Sequence, residues 1–116
     1  MQEPTFLILA ALADRPLHGY GVIQEVAALS GGRVTLRPGT LYGALDRLVE
    51  QGLVTADREE VVDGRLRRYY RLSDEGAGVL ETEARRLVSN ADVAVSRLRR
   101  RAGARAGQAR PGLSHA

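Results

Sequence analysis

The side chains in this sequence with chemistry to offer are guanidinium groups and hydroxyls, gathered in two short runs. The first is Arg37-Pro38-Gly39-Thr40-Leu41-Tyr42-Gly43, followed by Arg47. The second is Arg65-Leu66-Arg67-Arg68. A guanidinium is permanently charged and presents a planar fork of donors that fits a phosphate or the major-groove edge of a guanine. Thr40 and Tyr42 add hydroxyls, and Gly39 and Gly43 leave room for a large ligand to approach the backbone. This is chemistry for holding a polyanion. Catalysis finds no support: no Ser/His/Asp set, phosphate loop or pair of acids stands in a recognisable frame. Two distant histidines, His18 and His115, and no cysteine leave no metal site and no disulfide. No cofactor is expected, and His18 reads as a cap or packing residue.

Charge has to be read locally. All 17 basic residues are arginine. Residues 1–96 hold 11 of them against all 14 acids, so that part is net acidic; residues 97–116 hold the other 6 and no acid. The excess of positive charge therefore belongs to the tail, and a nucleic-acid surface must be argued from placement rather than from net charge. The longest apolar run, Phe6–Ala13, is too short to span a membrane. With no basic segment before it, the sequence reads as an unexported, cytoplasmic protein without a membrane partner.

The elements that must position the two arginine runs follow from periodicity and punctuation. Residues 5–13 are nearly all apolar and suit a buried helix, ended by Asp14-Arg15-Pro16. Residues 18–30 suggest a second helix, with Val22, Ile23, Val26, Ala27 and Leu29 on one side and Gly31-Gly32 as its stop. Residues 33–36 alternate and are β-branched, which predicts a brief strand. Pro38 suits the first turn of a third helix, and Gly52 suits its left-handed terminus. In that helix Leu41, Ala44, Leu45, Leu48 and Val49 fall on one face, while Thr40, Gly43, Asp46, Arg47 and Glu50 fall on the other. Tyr42 lies at the flank.

A hairpin comes next. Asp63-Gly64 is a strong signal for a two-residue turn. With that loop, Val61 faces Leu66, Glu60 faces Arg67 and Glu59 faces Arg68. Ser73 then suits the N-cap of a last helix, with Asp74 and Glu75 favourable at its positive end. Within it Ala77, Leu80, Ala84, Leu87, Ala91, Ala94 and Leu98 recur at alternating spacings of three and four, the seam of a coiled coil. A small core cannot cover so long a stripe, so the seam predicts a dimer. The glycine- and proline-bearing stretch after Arg101 is expected to be disordered.

Helix, helix, short strand, helix, hairpin is the order of a winged helix-turn-helix, in which the third helix enters the major groove and the hairpin is a wing on the backbone or minor groove. The fold class is thus mainly α with a small β-hairpin, plus a long C-terminal dimerisation helix. The blocks "LHGYGVIQEV", "GTLYGALDRLVEQGLV" and "GRLRRYYRLSDEG", in that order, resemble the PadR family of bacterial transcriptional regulators. The resemblance covers about residues 5–98 and is closest to the short-tailed branch of the family. It implies a homodimeric repressor whose last helix builds the dimer. Thr40, Leu41 and Tyr42 match the start of the recognition helix; Gly64, Arg65 and Arg67 match the wing tip; Tyr69-Tyr70 matches the strand leading to the last helix. Some members bind flat aromatic drugs or phenolic acids in a pore at the dimer interface, one type stacking them on tryptophan. This chain has no tryptophan and an alanine-rich last helix, which points away from large planar dyes and leaves a small-molecule effector open.

The sequence thus divides into a DNA-binding domain over residues 1–72, a dimerisation helix over 73–101 and a basic tail over 102–116. Its expected partner is double-stranded DNA carrying an inverted repeat, held through Arg37, Gly39, Thr40, Tyr42, Gly43, Arg47, Arg65, Arg67 and Arg68. The alternative is a winged-helix protein-interaction module without specific DNA binding, for which the acidic balance of residues 1–96 leaves room.

Overall fold

The computed structural model describes the backbone of residues 1–114 and the side chains of residues 1–107. Helices α1 (Glu3–Ala11), α2 (Gly19–Leu29) and α3 (Pro38–Glu50) surround the core, with a two-residue strand, β1 (Leu17–His18), between the first two. A hairpin of β2 (Val54–Val62) and β3 (Arg65–Leu72) follows, and then the long helix α4 (Asp74–Ser114). Two compact units result, one of residues Met1–Glu83 and one beginning at Ala84.

The core of the first unit is built from the apolar faces that the periodicity marks out. Ile8, Leu9 and Leu12 from the first helix and its end meet Val22 and Val26 of α2 and Leu41, Leu45 and Leu48 of α3. Val54 and Tyr70 close the cluster from the hairpin. Two expected core residues lie at its edge instead: Leu29 and Val49 are exposed, because each sits where its helix face turns away from the neighbouring helices.

Helix α3 ends as glycine at its C′ position requires. Gly52 has φ 79°, its N–H donates to the Val49 carbonyl, and the Leu53 N–H donates to the Leu48 carbonyl. These are the paired bonds of a Schellman motif, and they turn the chain directly into β2.

The three strands are antiparallel in the order β1-β3-β2. The expected strand over residues 33–36 is absent. That segment is folded over the end of α2, with the Val34 N–H donating to the Ser30 Oγ at 2.9 Å and Leu36 buried in the core. The place beside β3 is taken by Leu17 and His18, which pair with Tyr70 and Tyr69. In the hairpin the register is as read from the turn: Val61 opposite Leu66, Glu60 opposite Arg67, Glu59 opposite Arg68. Asp63 and Gly64 have φ 51° and 77°, the left-handed pair that a type I′ turn demands. A register shift between Ala56 and Glu59 bulges the wing at Asp57 and Arg58.

Helix α4 starts on Ser73. Its Oγ accepts the Gly76 N–H at 2.9 Å and donates to the Gly52 carbonyl at 2.6 Å, so one hydroxyl caps α4 and ties it to the end of α3. The expected stop at Arg101 is not made: α4 continues to Ser114, and the disorder expected beyond Arg101 does not hold for residues 102–114. Alanine, arginine and glutamine are good helix formers, and Gly103 and Gly107 weaken the helix by about 1 kcal/mol each without supplying a terminating motif. His115 and Ala116 lie outside the described residues.

Candidate nucleic-acid interface

The start of α3 is exposed and uncapped. Arg37 occupies the N-cap position without a side-chain hydrogen bond to the first turn, and Pro38 contributes no N–H. The backbone N–H groups of Gly39 and Thr40 are left to solvent or to an anion. Arg37, Gly39, Thr40, Tyr42 and Arg47 are exposed and Gly43 is half-buried, while Leu41, Ala44, Leu45 and Leu48 hold the helix onto the core. The Arg47 guanidinium folds back over Gly43, 3.7 Å from where a β-carbon there would sit.

The wing stands beside this helix. His18, Tyr20, Tyr42, Arg65, Leu66, Arg67 and Arg68 line one open cleft of about 430 Å³. The two runs meet in this cleft at one point: Tyr42 from α3 joins Arg65, Arg67 and Arg68 from β3, while Arg37, Gly39, Thr40, Gly43 and Arg47 do not line it. A second hollow of about 330 Å³ joins Tyr42 and Asp46 to Leu66, Arg68 and Tyr70.

Ion pairing separates the arginines of the first unit into two groups. Arg33 pairs with Glu3 at 2.9 Å, Arg58 with Glu60 at 2.8 Å and Asp57 at 3.0 Å, and Arg71 with Asp57 at 3.5 Å. Arg15 reaches Glu25 at 4.0 Å and Arg68 reaches Glu59 at 3.2 Å. Among the described residues Arg37, Arg47, Arg65 and Arg67 form no ion pair, and all four belong to the expected interface. Arg68 is the exception in that set. The Tyr70 hydroxyl and Glu59 both stabilise its charged form, so its guanidinium is already engaged. Glu60 sits opposite Arg67 in the ladder but is hydrogen-bonded by Arg58 instead, which holds its carboxyl below the usual range.

The fold and this surface match proteins of known kind. A model of the transcriptional regulator PadR-like family matches residues 8–82. The chain belongs to the PadR-like family. It is 42% identical over 80 residues to the transcriptional regulator Rv3488 of Mycobacterium tuberculosis, a match covering 69% of this chain and 71% of that protein. It is 44% identical over 82 residues to a 37.1 kDa protein in transposon TN4556 of Streptomyces fradiae; that match covers 71% of this chain but only 22% of the larger protein. Bacillus subtilis PadR, solved in complex with operator DNA, shares the fold with a TM-score of 0.64 at 22% identity, over 72% of this chain and 48% of that one. As a PadR-like protein the chain is a transcriptional regulator and not an enzyme. Its architecture is the expected winged helix-turn-helix with a long C-terminal helix, but the short strand precedes α2 instead of α3 and joins the hairpin in a three-stranded sheet.

Three residues of this PadR-like chain line the cleft without standing out as ligands in the sequence. Tyr20 is 62% exposed, an unusual position for a tyrosine beside a core helix. Its only signal is the polar flank it occupies in the pattern of α2. Leu66 is likewise exposed, next to its still more exposed partner Val61. His18 packs edge-on against Tyr69, with ring centroids 5.4 Å apart, and its sequence signal was ambiguous between cap and packing. It is the N-cap residue of α2 but makes no side-chain cap bond.

The expected dimer seam divides between the two units. In the first, Leu80 packs against the core and Ala77 is exposed. In the second, Ala84 is half-buried, and Leu87, Ala91, Ala94 and Leu98 are exposed along the helix. Val88 and Val95, also exposed, flank that stripe and widen it. Among the described residues no helix is long and apolar enough to cross a membrane, and no three potential metal ligands converge.

Proposed function

We propose that this PadR-like regulator is a homodimeric, sequence-specific DNA-binding protein that acts as a repressor at an inverted-repeat operator in the bacterial cytoplasm. The single observation that carries the reading is the segregation of arginines. Arg37, Arg47, Arg65 and Arg67 form no ion pair among the described residues, while the other arginines of the same unit are all paired. A surface that only had to stay soluble would not keep its unpaired guanidinium groups on one helix, at its N-cap and in its last turn, and on one strand. In this reading Thr40 and Arg47 reach base edges, the N-terminus of α3 meets a phosphate, and Arg65 and Arg67 grip the flanking backbone. Arg68 supports the wing more than it contacts DNA, because Glu59 and Tyr70 already hold it. The domain boundaries proposed with this function are a DNA-binding domain through Leu72 and a dimerisation helix after it.

The seam of Leu87, Ala91, Ala94 and Leu98, with Val88 and Val95 beside it, supplies the dimer contact. Two copies related by a two-fold axis read two half-sites, so the operator mirrors that symmetry. The deciding experiment is selection of random duplexes with the purified protein. Enrichment of an inverted repeat with a fixed spacing is expected; enrichment of nothing above the starting pool would favour a protein-interaction module instead.

A further inference from the structure

His18 stands in the cleft between wing and recognition helix, and nothing in the fold requires a titratable group there. It is half-buried at the strand-to-helix junction, where its backbone pairs with Tyr69 and its ring rests on Gly21, with Nδ1 3.4 Å from the position of a β-carbon at that residue. Neither ring nitrogen makes a hydrogen bond among the described residues. A packing residue could be phenylalanine or leucine; an N-cap would normally bond to the first turn, and this one does not. The groups around it are Tyr69 and Arg67 of β3, Glu60 of β2, Tyr20 of α2 and Tyr42 of α3, with Arg65 and Arg68 further along the same cleft.

From this geometry we infer that His18 is a proton-linked phosphate contact: its imidazole takes up a proton as a DNA backbone phosphate enters the cleft beside Arg65 and Arg67. The inference rests on the DNA-binding reading above. In the free protein the imidazolium is disfavoured, first by burial and then by the Arg67 charge, against a smaller opposing pull from Glu60. A phosphate among these arginines reverses the balance. It offsets the Arg67 charge, places an anion beside the ring and gives the N–H of a charged imidazole an acceptor. The same site thus disfavours the charged imidazole when empty and favours it when filled.

The sign follows from linkage. Because binding raises the affinity of His18 for its proton, DNA binding is tighter below the pKa of the bound state and weakens as pH rises through it. Within that window the association constant falls by up to about tenfold per pH unit for each His18 seated on a phosphate. Histidine is the side chain whose charge changes in the range a cell visits, between about pH 5 and 8, so the effect lies where it can regulate.

The experiment measures affinity for one short random-sequence duplex and one selected operator, at fixed ionic strength across that pH range, for the wild-type chain and His18→Gln. The expected result is a wild type whose affinity declines with pH on both duplexes, and a variant whose affinity is flat and equals the wild-type alkaline limit. An unchanged pH slope in the variant, or a flat wild type, overturns the role of His18. Absence of binding to either duplex at every pH overturns the DNA reading itself, which separates the two failures. Should His18→Gln fail to fold, the ring of His18 in the wild-type chain is followed by nuclear magnetic resonance with and without the random duplex. A clear rise of its titration midpoint on binding is expected, and coincident titrations would sink the proposal.

Discussion

The hydroxyl end of Tyr42 occupies the space a side chain at Gly19 would need. A β-carbon at residue 19 would fall 2.6 Å from the Tyr42 Cζ and collide with its hydroxyl, closer than side chains pack. The glycine of the "HGY" run and the tyrosine of the "GTLY" run are therefore two halves of one contact between α2 and α3. Gly19 is buried and Tyr42 is 44% exposed, so the hydroxyl end of the side chain covers the glycine while the residue also lines the cleft.

Gly19→Ala is consequently expected to move Tyr42 rather than unfold the domain. The ring is partly exposed and can swing aside, so the loss of stability should be modest, about 1–2 kcal/mol. The displaced phenol should cost DNA affinity all the same. Coupling is the diagnostic: in a double-mutant cycle with Tyr42→Ala the two effects on affinity should be far from additive. Additive losses would mean that Gly19 acts through something other than the Tyr42 ring.

Gly76→Ala should behave in the opposite way. There a β-carbon would run into the carbonyl of Leu53 and approach Leu72 Cδ1 to 2.8 Å. Backbone cannot swing aside, and Gly76 also donates the capping bond to Ser73 Oγ. The expected loss is about 3 kcal/mol or more, read from denaturant unfolding with the slope unchanged. Ser73→Ala should cost less, about 1 kcal/mol, since it removes a cap without forcing any atoms apart. A Gly76 variant as stable as the wild type would show that the junction of α3, β2 and α4 has room it does not display.

These two glycines show where the sequence was legible and where it was not. Helix ends carried by Gly31-Gly32 and Gly52, the Asp63-Gly64 turn and the Ser73 cap are local signals, and each lies where local chemistry put it. The register of the wing followed from the turn alone. Contacts between distant segments left no such mark. Nothing near Gly19 names Tyr42 as its neighbour, and nothing in Leu17-His18 announces a third strand, since two residues are too few for a pattern. Residues 33–36 misled because alternation describes an extended chain with or without a neighbouring strand. The end of the final helix is not legible because glycine, proline and a lost apolar period look the same in a disordered tail and in an exposed helix that packs against nothing in its own chain. At the interface, residue type alone points to the nine expected residues; seven of them are exposed, and Gly43 and Arg67 are half-buried. Which arginines were free could only be known from their acids: Glu60 stands opposite Arg67 in sequence register yet is held by Arg58.

Leu87→Asp is expected to convert a dimer to a monomer in sedimentation. Leu87 is 41% exposed at the middle of the seam, so a carboxylate there costs the isolated chain little but would be desolvated in a helix pair. Val88→Asp should weaken the dimer less, being at the flank. An unaltered mass for both variants would place the interface elsewhere.

The recognition helix and the wing should fail differently, and that contrast tests the division of labour proposed for the cleft. Arg65 and Arg67 form no ion pair and stand on a strand, a geometry suited to gripping phosphate; phosphate contacts position a protein without reading sequence. Replacing either by alanine should weaken operator and scrambled duplex alike, and each should make the slope of log K against log salt shallower by about 0.9. Arg68→Ala should change the slope less, because its charge is already spent on Glu59. Thr40 and Arg47 lie on the exposed face of α3, where side chains reach base edges. Their replacement by alanine should erode the ratio of specific to nonspecific affinity, by about 1–3 kcal/mol for each good base contact. Tyr42→Phe separates hydroxyl from ring: the ring stays over Gly19, so folding should be unchanged, and any loss of affinity reports a contact made by the hydroxyl. The measurement is competitive binding to one operator and one scrambled duplex at several salt concentrations. If Arg65→Ala altered only specificity, or Arg47→Ala only the salt slope, the roles of groove and backbone would have to be exchanged between helix and wing.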